Sequence, residues 1–324
     1  MPTARSAALA ILTIALTSLP GCSRSVQNTE PGQPEAGRLK PIPAFDRQAA
    51  FDLLENQVRI GPRYPGSAGH KAAAKLIESQ LRQSADRITI QDFTRQVGDR
   101  KLDLRNIIGY FNPRARWWLL LAAHWDTRPT ADMEVTTEKR RQPIVGANDG
   151  ASGVAVLLEL ARMFSIQKPN VGVIMVFFDG EDYGPTVSDM FLGSEYFARN
   201  LKAVVPGGDH KRIRYGILLD MVGDMNLALH PEAHSMDAAP DVVRKVWAMG
   251  SHLGYGKHFP TDPRPAILDD HVPLIAAGLQ CIDVIDFEYA PWHTLEDTVD
   301  KCSPRSLGIV GEVIAHVVYE EKSQ

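Results

Sequence analysis

The sequence predicts an α/β sandwich: a mostly parallel but mixed central sheet with helices on both faces. Two observations carry that expectation. Almost wholly apolar runs of strand length, residues 117–123 and 171–178, alternate with stretches of helical length. Unbroken apolar strands belong to sheets that are covered on both sides. The second observation is where the acids and histidines fall. His124, Glu181, Asp182 and Asp220 come at or just past strand ends, Asp149 stands directly before a helix, and His293 follows the last strand. Open α/β sheets bind their ligands beyond such strand ends.

Taken in order, residues 49–58 and 70–82 read as amphipathic helices on either side of the turn-rich PRYPGSAG. Residues 87–94 and 102–111 read as neighbouring strands, and 117–123 as a central one. The stretch GANDGASGVAVLLELA sets Asp149 in a turn of small residues before a helix over 152–164. A turn of that composition lets a ligand approach the backbone closely. A buried strand over 171–178, a helix over 189–201, a strand over 215–222 and a helix over 239–252 follow. Residues 280–285 form the last strand and 304–319 the closing helix. Strands that alternate with helices predict a parallel sheet with crossover connections. No internal repeat is visible.

The 324 residues are enough for one large α/β domain or two small ones, and 44% hydrophobic residues support a sizeable core. A formal charge of −4 argues against nucleic acid as a partner. No run of 18 apolar residues occurs in the body of the chain, so no internal membrane span is expected. Residues 1–22 read as an export signal, with Arg5, an apolar run over 7–19 and then Leu19-Pro20-Gly21-Cys22. This resembles a bacterial lipoprotein signal in which Cys22 becomes the lipidated residue. The expectation is an exported protein, anchored to the membrane through a lipid on Cys22 or free in the periplasm or outside the cell. Residues 23–45, rich in Pro, Gly, Ser and Gln, read as a flexible linker. Residues 46–324 are expected to form a single catalytic domain. Cys281 lies in an apolar strand and Cys302 opens a helix, so two separate buried thiols are expected rather than a disulfide.

Zinc takes about four ligands from His, Asp, Glu and Cys, and a catalytic site leaves one position open. Asp149, Asp182 and His293 are the candidates for one ion, with His124 and Asp220 for a second nearby. On a turn the side chains of Glu181 and Asp182 diverge, so one can bind metal while the other acts as general base. His230-x-x-x-His234 lacks the glutamate of a zinc helix and contains Pro231, which spoils a helix interior. His252 and His258 read as surface residues. With no G-x-S-x-G elbow, a serine hydrolase is disfavoured.

The ordered set His124-x-Asp126, Asp149, Glu181-Asp182, Asp220, Asp269-Asp270-His271 and Trp292-His293-Thr294 resembles the M28 zinc peptidase clan. More narrowly it is similar to the glutaminyl-peptide cyclotransferase branch, from residue 48 to the C-terminus. The resemblance implies a zinc exopeptidase-like fold in which Asp149, Asp182 and His293 bind zinc. One ion is expected, or two if His124 and Asp220 bind a second with Asp149 as bridge. It also implies Glu181, Asp220 and Asp269 as proton-handling catalytic acids, with Trp292 and Asp270 at the substrate. The implied substrates are peptide or protein N-termini, whose glutamine becomes pyroglutamate with release of ammonia. The alternative on the same scaffold is a metal-dependent aminopeptidase. Trp292 before His293 and the Asp269-Asp270-His271 run tilt the choice toward cyclisation. Two departures from the animal cyclotransferases stand out: residues 183–188 hold no second tryptophan, and Asp283 stands where those enzymes have a histidine.

Overall fold

Strands buried on both faces set the architecture. In the computed structural model, which describes residues 41–323, six strands form one sheet. They are β1 (Arg87–Val97), β2 (Arg100–Phe111), β3 (Trp118–His124), β4 (Gly172–Phe178), β5 (Ile213–Asp220) and β6 (Cys281–Ile285). The order across the sheet is β1-β2-β4-β3-β5-β6. Strands β3 to β6 are mutually parallel, and β2 is antiparallel to β1 and β4. From β3 the chain steps to β4 on one side and then to β5 on the other. The sheet's switch point therefore lies at the C-terminal end of β3, the place where sheets of this kind bind their ligands.

The helices are α1 (Arg47–Arg59), α2 (Ala68–Ser84), α3 (Thr137–Arg140), α4 (Ala151–Ile166), α5 (Leu192–Arg199) and α6 (Leu201–Val204). They continue with α7 (Ala233–Ala238), α8 (Pro240–His252), α9 (His271–Ala276) and α10 (Pro304–Glu320). Alternate strand residues point to opposite faces. Leu119, Leu121, Ala123, Val173, Met175, Phe177, Ile217 and Leu219 pack with α1, α2, α4, α8 and α10. Leu120, Ala122, Ile174, Val176, Phe178 and Leu218 pack with α5, α6 and α9. This is the expected three-layer sandwich. Helix α4 is apolar on nearly every side because helices cover it as well as the sheet. It lies close on β5 through Gly153, where a Cβ would come within 2.2 Å of the Leu219 carbonyl oxygen.

Three expectations are corrected. The helix expected over 189–201 is broken: a short turn, Val187–Asp189, precedes Phe191 at φ 57°, and only then does α5 begin. The backbone N–H groups of Phe191 and Leu192 are spent on the carbonyls of Glu181 and Gly180 (2.9 and 3.0 Å), which ties the segment back to the end of β4. The linker expected to run to residue 45 ends earlier, because Phe45 is buried against Gly311 and the Asp46 N–H donates to Glu159 at 2.9 Å. His258 is half-buried, with Nδ1 2.8 Å from the Leu227 carbonyl oxygen. Cys281 and Cys302 are free and buried, as expected. Residues 41–323 belong to one compact unit, and no helix among them is long and apolar enough to cross a membrane. The signal expected over residues 1–22, and the linker as far as residue 40, lie outside the described residues.

Candidate metal centre

The parallel strands deliver their C-terminal ends to one edge. His124 ends β3, Glu181 and Asp182 follow β4, Asp220 ends β5, and the loop after β6 carries His293. Three buried groups hold the connecting loops. The Arg63 guanidinium donates to the carbonyls of Trp125, Val145 and Gly146 at 3.1, 2.7 and 2.7 Å. It thereby pins the loop with Asp126 to the loop with Asp149. Burial lowers Arg63 to about 10, against the pull of Asp297, Asp126 and Asp149. Asp297 accepts the backbone N–H groups of Asn148 and Asp149 (2.8 and 3.1 Å) and the Tyr289 hydroxyl (2.8 Å). Asp126 accepts those of Glu181 and Asp182 (3.0 and 3.2 Å), so it fixes the turn on which the pair diverges. Helix α4 takes Gly150, not a side chain, as its N-cap, which leaves the Asp149 carboxylate free for the site.

Two triads result. Donor atoms of Asp149, Asp182 and His293 all lie within 4.8 Å of one another, as do those of His124, Asp149 and Asp220. His293 Nε2 lies 3.3 Å from Asp182 Oδ1 and 3.7 Å from Asp149 Oδ2. His124 Nε2 lies 3.2 Å from Asp149 Oδ1 and 3.0 Å from Asp220 Oδ1. Asp149 thus offers one oxygen to each side. All five residues are buried, and Asp182 Oδ2 has no hydrogen-bond partner. Carboxylate oxygens and imidazole nitrogens at this spacing suit zinc, and an ion between them would satisfy the orphaned oxygen.

The electrostatics agree with that fit. Burial, then the charges of Asp182 and Asp220, raise the Asp149 carboxyl above its usual range. Burial opposes the His293 cation, but Asp182, Asp132 and Asp149 outweigh it and push the imidazole up to about 9. His293 itself sits at φ 56°. A left-handed backbone at a non-glycine residue costs on the order of 1–3 kcal/mol and is typically retained where a site needs it.

Two residues that sequence reasoning missed complete the centre. Arg128 donates to Asp182 Oδ1 at 2.7 Å and to both oxygens of Asp132 at 3.0 and 2.8 Å. Asp132 Oδ1 lies 3.1 Å from His293 Nδ1. That contact aims Nε2 at the triad, the arrangement that orients and strengthens a histidine ligand. Trp292 stacks on the His293 ring at 3.8 Å and 24°, with Phe287 at 5.0 Å beside it, so the expected indole wall also buttresses a ligand. His230, by contrast, turns to the Asp262 carbonyl oxygen at 3.1 Å, outside the site.

Beside the triads stands a pool of acids. Burial first, then Asp182, Asp269 and Asp270, hold Glu181 well above the usual carboxylate range, although His124 opposes them. Asp269 is raised in the same way by burial, Asp220 and Asp270. Asp270, expected at the substrate, has no exposed surface, and burial brings it to about 7. Asp269, His271 and Asp283 form a third cluster of donors within 4.8 Å of one another. His271 appears in the sequence motif, yet nothing in the spacing announces its meeting with Asp283 on β6.

The model for peptidase family M28 matches residues 106–318. Among curated proteins, the chain is 26% identical over 305 residues to the glutaminyl-peptide cyclotransferase of Bos taurus, covering 83% of this chain and 81% of that one. Among solved structures, it resembles a Bacteroides thetaiotaomicron glutaminyl cyclase bound to N-acetylhistamine, at 38% identity and a TM-score of 0.83. That match covers 87% of this chain and 100% of the other. A Zn-dependent exopeptidase from Parabacteroides distasonis is similar at 36% identity and TM-score 0.83, over 87% and 100% of the two chains.

Proposed function

This chain belongs to peptidase family M28, in its glutaminyl cyclase branch, and on that premise we propose that it converts N-terminal glutamine to pyroglutamate. The observation that carries the reading is Glu181. It is a buried carboxyl with raised proton affinity, set beside the Asp149–Asp182–His293 triad but outside it. A peptide α-amine has a pKa of roughly 7.7–8.0, and a general base works best when its own lies near the operating pH. An ordinary glutamate is too weak a base for that; one crowded by Asp182, Asp269 and Asp270 is closer.

Asp149, Asp182 and His293 would hold zinc, which when bound supplies Lewis-acid polarisation of the glutamine γ-carbonyl. Glu181 takes a proton from the α-amine as its nitrogen bonds to the carbonyl carbon of the side-chain amide and closes the lactam ring. It returns that proton to the amide nitrogen, which leaves as ammonia when its bond to carbon breaks. Asp220 and Asp269 stand next to this path and share the proton's charge. Trp292 bounds the place where the glutamine methylenes lie. The nucleophile is the substrate's own amine, so we take one ion as sufficient and His124–Asp220 as a place for a second that the reaction does not require.

Incubation with glutamine β-naphthylamide tests the reading. Pyroglutamyl naphthylamide and ammonia in equal amounts are expected, and Glu181→Gln is expected to abolish both while retaining zinc. Free naphthylamine without ammonia would assign an aminopeptidase instead. The export and lipid anchoring read from residues 1–22 belong to the same proposal, since an exported enzyme would meet peptides outside the cytoplasm. Labelled palmitate incorporated by the full chain but not by Cys22→Ala supports it; equal labelling, or none, overturns it.

A further inference from the structure

We propose that His271, held on Glu232, is a positioning residue that sets the Asp269–Asp283 carboxyl pair behind the general base. The proposal rests on Glu181 being that base, and it concerns a cluster that the reaction scheme above leaves unused. Glu232 is fully buried at the start of α7, where its carboxylate accepts the N–H groups of His234 (2.7 Å), Ser235 and Ile267 (3.2 Å). Ile267 lies two residues before Asp269, so one carboxylate ties α7 to the segment that carries the catalytic acid. Glu232 Oε1 also lies 3.2 Å from His271 Nε2. The other ring nitrogen, Nδ1, faces Asp283 Oδ2 at 4.0 Å. Asp283 is fixed from the same helix, its N–H donating to the Ser235 hydroxyl at 2.8 Å.

His271 therefore stands, with no exposed surface, between the Glu232 carboxylate that caps α7 and the carboxyl of Asp283, whose backbone N–H is tied to the same helix. Around it the donors run out. Asp269 Oδ2, both oxygens of Asp270 and of Asp283, and both ring nitrogens of His271 are buried without a well-aligned hydrogen-bond partner. Two such carboxyls facing each other cannot both be charged, and Asp269 and Asp283 satisfy one another by holding a proton between them. The groups facing this pair are Asp220 from β5, Cys281 beside Asp283 on β6, Asp270 and His271 from the start of α9, and Glu232 from α7, with the His234 ring 6.1 Å from that of His271. Glu181 approaches from the loop after β4. His271 and His124 are the groups that oppose the carboxylates acting on Asp269. His124 belongs to the metal centre, which leaves His271 as the steering group of the rear cluster. Without it, Asp283 and Asp269 lose the buried neighbour that fixes where their carboxyls stand.

The test uses zinc-loaded His271→Gln and Asp283→Asn with glutamine β-naphthylamide, alongside zinc content and melting temperature. For His271→Gln a fall in kcat of about tenfold or more is expected, within the span of a misplaced acid–base group. KM should stay within about threefold. A folded, zinc-loaded His271→Gln whose kcat is unchanged, or whose KM rises as far as its kcat falls, overturns the proposal. Where a variant of the cluster does not fold, the cluster is left intact and Glu181 is changed instead. The ring nitrogens of His271 in 15N-histidine-labelled protein should shift on Glu181→Gln, and no shift overturns the coupling. An enzyme that releases no ammonia defeats the assignment of Glu181 to cyclisation, whereas the nitrogen shifts judge the cluster independently.

Discussion

At His293 one ring nitrogen faces the triad and the other lies 3.1 Å from Asp132, whose second partner, Arg128, also holds Asp182. Burial works to raise Asp132, yet His293 and Arg128 hold its carboxyl below the usual range, so it is charged whenever the site is occupied. Asp132→Asn keeps the shape and removes that charge. Zinc affinity should fall by about 10- to 100-fold, the usual effect of losing such a partner. Activity should return at saturating zinc. Competition against a chromogenic chelator measures this, and an unchanged dissociation constant would refute the orienting role. His124, Asp182 and Asp220 were legible because each ends or follows an apolar run that had to be a strand, and Asp149 because a turn of small residues sets it directly before a helix. Asp132 was not, for it lies in an irregular loop where no periodicity says which way a side chain turns. Arg63 escaped notice for a similar reason: a turn-rich stretch gave no hint that a guanidinium would be swallowed by three carbonyls.

Among the elements, the connection from β3 to α4 bears the most constraint. Gly150 has φ 95°, and a Cβ there would stand 2.5 Å from the Asp126 carbonyl oxygen and 3.1 Å from His124 Cε1. Gly150→Ala meets both a forbidden backbone region and a clash, and should cost on the order of 1–3 kcal/mol. It should also push Asp149 out of register with His293, so zinc content should drop in the protein that still folds. Calorimetry and metal analysis check the two effects, and a variant that melts and binds zinc like the unmodified protein would remove the argument. The buried strands were readable because apolar runs covered on both faces admit few alternatives. The helix across 189–201 was misjudged because its pattern is amphipathic. What overrode the pattern is the tie from Phe191 and Leu192 back to Glu181 and Gly180, a tertiary bond that local sequence does not encode. Asp283 and His271 meet for the same kind of reason, since only the neighbouring of β6 and α9 brings them together.

For the molecule as a whole, the acids gathered at one sheet edge set how stability responds to pH when no metal is bound. Burial raises Asp270 and Asp297 to about 7 and Asp179 to about 6, each from an ordinary 3.8. A group whose folded value is raised contributes stability that is complete below its unfolded value and is lost as pH rises through the folded one. For these acids the loss runs from about pH 4 to 7. His293, raised from 6.5 to about 9, adds a loss at still higher pH. Asp182 and Glu232 are depressed, the latter to about 2, and their contribution disappears only on acidification below the ordinary carboxylate range. Between pH 5 and 8 the raised groups govern, so the chelator-treated protein should melt lower at pH 8 than at pH 5, by on the order of 5–10 °C. Zinc reverses the trend. Its ligands must be deprotonated to bind, so its affinity, and with it the stabilisation by mass action, grows with pH. The zinc-induced rise in melting temperature should therefore be larger at pH 8 than at pH 5. Scanning calorimetry of the chelated and zinc-loaded forms at both pH values decides it. A chelated form whose melting temperature is flat or rises with pH, or a zinc shift that is the same at both, would mean that the carboxylates at the strand ends do not carry the charge burden that their crowding implies.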